Sequence, residues 1–105
     1  MERITYHGWE NCYRLCNERL ELVVTADIGP RIIRLGFVDG ENEFYEDPAL
    51  LGTTDADGWV NYGGHRLWHA PEAEPRTYAP DNDPVEVEEM DSGARFAQPV
   101  EPSTG

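Results

Sequence analysis

The chain has 105 residues, enough for one small domain, and 39% of them are apolar. Eight basic residues stand against 21 acidic ones, a formal charge of −13, and every base is arginine. A field of that sign repels phosphate backbones and anionic lipid heads, so nucleic acid and membrane surfaces are excluded as expected partners.

The opening, MERITYHGWENC, lacks the apolar stretch of a secretory signal. No run approaches the ~18 apolar residues of a membrane span. A soluble, cytoplasmic protein is expected. The acid-rich, lysine-free composition suits a high-salt cytoplasm, where screening removes the cost of self-repulsion, and so fits a halophile.

The first predicted hairpin is NCYRLC-NE-RLELVVTAD, turning at Asn17-Glu18. With that two-residue loop, Leu15 faces Leu20 and Tyr13 faces Leu22. Tyr13, Leu15, Leu20, Leu22 and Val24 then share one face, while Arg14, Arg19 and Glu21 share the other. Cys12 and Cys16 lie on the same strand, roughly 13 Å apart at ~3.3 Å per residue. A disulfide needs a Cα separation of ~4.4–6.8 Å. Both are read as free thiols, small side chains packed in the core, as a reducing compartment favours.

Gly29-Pro30 breaks the pattern. RIIRLGFV-DG-ENEFYED then predicts a second hairpin at Asp39-Gly40, with Leu35 facing Phe44 and Phe37 facing Asn42. Ile33, Leu35, Phe37 and Phe44 are placed on one face. From Pro48 to Pro84 regularity drops, and only HRLWHA reads as a strand. Two short strands follow, VEVEEM and ARFAQP. No window shows a convincing helical period, so the fold class is all-β, built from antiparallel hairpins. An irregular stretch of that length usually carries function.

Within it, NYGGHRLWHAPE concentrates glycines, histidines and aromatic rings. On a strand, His65, Leu67 and His69 point one way and Arg66 and Trp68 the other. His65 and His69 have the spacing of a zinc pair on a helix. Their Gly-Gly and Ala-Pro flanks suit a strand or loop, so metal is the weaker alternative. A sugar site suits the composition better. Arginine offers a rigid fork of donors for hydroxyls, tryptophan a flat apolar surface for the C–H face of a ring, and histidine a donor or acceptor. Trp59, Tyr62 and Tyr78 lie nearby in sequence, and Asp81 and Asn82 supply short acceptors. Each residue also has a structural alternative. Asn82 suits turn closure, Trp68 a core ring, and Arg66 an ion pair with Glu72 or Glu74.

ELVVTADIGPRIIRLGFVDGENEFYED and YGGHRLWHAPE followed by TYAPDN resemble an uncharacterised branch of the galactose mutarotase-like superfamily, from about Cys12 to Gly105. The resemblance implies that residues 1–105 are the N-terminal portion of a β-supersandwich with a sugar pocket on a concave face. In the aldose 1-epimerase-like isomerases, a histidine general acid and a glutamate general base open and reclose the ring without a cofactor. Both lie beyond the matched region, so no catalytic residue is assigned here. The substrate contacts it implies are His65 and Arg66, with Trp68 as a wall. Asn82, a short acceptor able to grip a hydroxyl, is a further expected substrate contact. The expected ligand is a neutral sugar. The chain is read as a fragment, inactive by itself, whose open sheet edges favour self-association. A non-catalytic sugar-binding or structural module is the alternative.

Overall fold

A computed structural model describes residues 1–54, 59–68, 71–74 and 82–100. Among these residues the fold is all-β and the strands pair antiparallel. One sheet runs in the order β1 (Glu2–Tyr6), β2 (Trp9–Cys16), β3 (Leu20–Thr25), β4 (Arg31–Phe37) and β5 (His65–Arg66). A second sheet pairs β6 (Glu86–Met90) with β7 (Gly93–Ala97), close to the two short strands expected there. No helix among the described residues is long and apolar enough to cross a membrane.

Pairing begins earlier than the sequence reading placed it. β1 returns into β2 through His7-Gly8, at φ of 48° and 100°, with Tyr6 opposite Trp9. Two left-handed central residues match the right-handed twist of a tight hairpin. Histidine is among the few side chains that tolerate the first position, and glycine suits the second.

The next hairpin closes one residue later than expected. The Asn17 N–H donates to the Leu20 carbonyl at 3.0 Å, which leaves Glu18-Arg19 as the loop. Leu15 therefore faces Leu22, Tyr13 faces Val24 and Cys16 faces Glu21. The cause is the Asn17 side chain. Its Oδ1 accepts from the N–H of Arg19 and of Leu20, both at 2.8 Å, and closes the turn from its flank. The pairing slips by two residues, so each side chain keeps its expected face.

Two further expectations change. Val23 opposes Arg34 while Val24 opposes Ile32, so β4 carries one extra residue at a bulge. The bulge turns Ile33 away from Leu35: Ile33 is fully buried with Val23, whereas Leu35 lies with Leu15 and Leu22. Asp39-Gly40 also starts no return strand. Asp39 has φ of 63°, and the Gly40 N–H donates to the Phe37 carbonyl at 2.8 Å. Beyond this turn a side chain satisfies the edge of β4. Asn42 Oδ1 accepts from the Leu35 N–H at 3.1 Å, and its Nδ2 donates to the Ile33 carbonyl at 2.8 Å. The Glu43 N–H adds a bond to the Leu35 carbonyl at 2.9 Å. Once these groups are paired, no second strand is needed.

The core lies on one face of the large sheet, where Trp9, Cys12, Val23, Ile28, Ile33 and Tyr62 cluster. Leu50, Leu51 and Val60 pack against them from the loops. Trp9 meets Tyr62 edge-on at 5.9 Å, and its Nε1 donates to the Thr53 carbonyl at 2.8 Å. Each fully buried aliphatic side chain contributes ~1.5–3 kcal/mol.

Among the described residues, the other face is only partly covered. The segment before β6 is tied down by bonds from the Gly29 N–H to the Asp83 carbonyl, 2.9 Å, and from the Val85 N–H to the Ala26 carbonyl, 2.8 Å. This brings Phe96 of β7 edge-on to Tyr13 at 5.8 Å, while Phe37 stays 64% exposed. Both cysteines are free, but only Cys12 is in the core; Cys16 is exposed at the end of β2. Burial pushes the Cys12 thiol up to about 11, which keeps it protonated and inert at neutral pH.

Candidate functional site

Gly63 and Gly64 fix where the site begins. They adopt φ of 106° and 70°. A Cβ on Gly63 would collide with the Tyr45 carbonyl, and one on Gly64 with the Ile32 carbonyl. Their bare backbone lets the chain wedge between two neighbours. The Gly64 N–H donates to the Tyr45 carbonyl at 2.6 Å, Gly63 bridges Glu46, and the Gly63 carbonyl accepts from Arg31 Nη1 at 2.6 Å. The chain emerges as β5, with His65 opposite Ile32 and Arg66 opposite Arg31.

Strand alternation then divides the predicted residues between two faces. Arg31, fully buried, stacks on Tyr62 at 5.6 Å, on the core side. Its partner Arg66 sits on the same side, and its guanidinium lies 4.7 Å from the ring centre of Trp59 and 4.9 Å from that of Trp68. Two indoles thus stack on one planar cation, a contact worth ~0.5–2 kcal/mol per ring depending on desolvation. Trp68 remains 48% exposed, so it is not the core ring of the structural alternative.

His65 and Leu67 face the other way. They form the end wall of an open apolar cavity of about 310 Å³ over the partly covered face of the sheet. Arg66 and Trp68 do not line it. The geometry therefore does not bring His65 together with Arg66 and Trp68. Asn82 acts as a tie, with its Oδ1 accepting from the Val60 N–H at 3.1 Å and holding the loop that carries Trp59. The two residues are 22 apart in the chain, so the contact is a long-range tie and not the local turn closure of the structural alternative. His69, Tyr78 and Asp81 lie outside the described residues.

Among the described residues, no three His, Cys, Asp or Glu side chains converge as metal ligands. The sequence reading did not single out a polar cluster at the turn between β1 and β2. The Tyr6 hydroxyl donates to Glu46, Asn42 Nδ2 donates to the same carboxylate at 3.0 Å, and His7 Nε2 lies 3.6 Å from it. Burial, and then the Glu46 carboxylate, push the Tyr6 hydroxyl above its ordinary range. No sequence spacing connects residues 6 and 46. Only the folded loop does, and the cluster anchors that loop. No family model, curated protein or solved structure matches the chain.

Proposed function

We propose that this protein binds a neutral sugar or sugar derivative, with Trp68 as the platform and Arg66 as the donor. The observation that carries the reading is the Trp59–Arg66–Trp68 stack. The stack holds the guanidinium in place, and its rigid fork of N–H donors suits adjacent hydroxyls. The exposed part of Trp68 offers an apolar surface to the C–H face of a pyranose. The resemblance to mutarotase-like proteins supports the same ligand class. His65 faces the cavity, and Asn82 serves by holding the Trp59 loop, so neither is assigned a direct ligand contact. The function is binding. No residue here is given the role of general acid or base.

An open platform binds weakly, with a Kd on the order of 1 mM, about −4 kcal/mol. Titration of free hexoses against tryptophan fluorescence should give a saturable change that disappears in Trp68→Ala and in Arg66→Ala. Trp68→Ala should stay folded and lose only ~0.5–2 kcal/mol, the worth of its stack on Arg66, because the ring is half exposed. If neither substitution alters the titration, or no hexose produces one, the proposal fails. Polarimetry of a fresh α-anomer should show no acceleration of mutarotation.

A further inference from the structure

The alternation that places Arg66 on one side of β5 places His65 and Leu67 at a second feature, which the sugar reading does not use. From the floor, walls and roof of the 310 Å³ cavity, we infer that it is a separate binding site for a small, uncharged, largely apolar molecule with one hydroxyl or carbonyl group. Its floor is the sheet itself, at Leu22, Val24 and Ile32. Its end wall is His65 and Leu67, and its roof is Phe96 of β7. The roof is built in place: the hairpin is tethered by the two backbone bonds to Gly29 and Ala26, and Phe96 is seated on Tyr13.

Size, polarity and charge select the occupant. The volume sits at the lower end of ligand cavities, ~300–1,000 Å³, and suits one or two fused rings or a short branched chain. His65 is the lining residue with a polar side-chain head at the cavity. The other polar lining residue, Arg31, turns its guanidinium to the opposite side, onto the Gly63 carbonyl and Tyr62. Histidine offers one donor or acceptor to a hydroxyl or carbonyl. None of the described lining residues carries a carboxylate, which removes the partner a cationic ligand needs. The chain's charge of −13 disfavours an anion in an apolar recess. An uncharged molecule meets neither penalty.

The probe is 2-naphthol, with 2-naphthoate as its charged counterpart, followed by amide chemical-shift mapping and calorimetry on the whole chain. The expected result is saturable one-to-one binding, with shifts at Leu22, Ile32, His65 and Phe96. Binding should be at least tenfold weaker for the anion and about tenfold weaker in His65→Phe, the equivalent of one hydrogen bond. Ala94→Trp should block the cavity from the roof. Leu67→Trp should block it from the end wall, at a side chain exposed enough (80%) to change without unfolding the protein. Trp68→Ala should leave 2-naphthol binding intact, which separates this site from the sugar platform. Equal binding of the anion, unsaturable shifts centred on Leu20 and Phe37, or unchanged affinity in folded Leu67→Trp overturns the inference. So does concentration-dependent dimerisation that 2-naphthol does not reverse, because the face would then be an interface between copies.

Discussion

Gly64→Ala tests whether the bare backbone before β5 is what holds the site together. An L-residue at the φ of 70° costs ~1–2 kcal/mol by itself. The added methyl would run into the Ile32 carbonyl on the neighbouring strand, which backbone cannot yield cheaply. Relief comes from moving β5 off β4. That strains the 2.6 Å bond from the Gly64 N–H to the Tyr45 carbonyl, worth about 1 kcal/mol, and the equally short bond from Arg31 to the Gly63 carbonyl, worth ~1.5–3 kcal/mol as a charged donor. The loss should be about 4 kcal/mol, a large share of the ~5–15 kcal/mol typical of a domain. With a urea slope of ~1–3 kcal/mol/M, the unfolding midpoint falls by roughly 2 M. Gly93→Ala is the matched control. A Cβ there meets nothing within 4 Å, so loss of unfolded-state freedom should raise stability by ~0.4–1 kcal/mol. Urea unfolding followed by circular dichroism reads both. If Gly64→Ala unfolds within ~1 kcal/mol of the wild type, the close approach is not what fixes β5.

Other consequences follow from particular contacts. Asn42→Leu removes the amide that pairs the β4 edge and Glu46, and leaves the Ile33 carbonyl and Leu35 N–H unpaired. A loss of ~2–4 kcal/mol is expected in the same denaturation assay, with faster amide exchange at Leu35. A thiol reagent should modify Cys16 alone in the folded protein and both cysteines in urea. Modification of Cys12 at the same rate as Cys16 would contradict its burial. The folded-state Cys12 value is raised to about 11, so its contribution is full below the ordinary thiol range and is lost as pH climbs from about 8.5 toward 11. Glu21 behaves oppositely. The hydrogen bond from Arg14 Nε at 2.7 Å, with Arg34 Nε at 2.9 Å on the other oxygen, lowers its carboxyl below the usual range. Its contribution is present above about pH 4 and lost as pH falls through the lowered folded value, so Glu21→Gln should flatten the acid limb of the stability profile.

Local chemistry made much of the architecture legible. The alternation in YRLC and LELVV assigned each side chain of β2 and β3 to its face, even though the turn closed one residue later, because a slip of two preserves parity. The same alternation in HRLW separated His65 and Leu67 from Arg66 and Trp68. The charge of −13 and the all-β class also follow from residues taken a few at a time. Three features depended on contacts between residues far apart in the chain. The bulge that buries Ile33 arises where β3 and β4 fit around the core, and periodicity carries no mark of an extra residue. Asn42 displaced the expected return strand because its amide, once beside β4, satisfies the edge as a backbone would. The stacking of Trp59 and Trp68 on Arg66 required β5 to dock on β4 and Asn82 to hold the Trp59 loop. The sequence alone determined which way side chains point along each strand, because that is a property of neighbouring residues. Tertiary structure decided which of them meet, because it closes the loops that bring distant segments into contact.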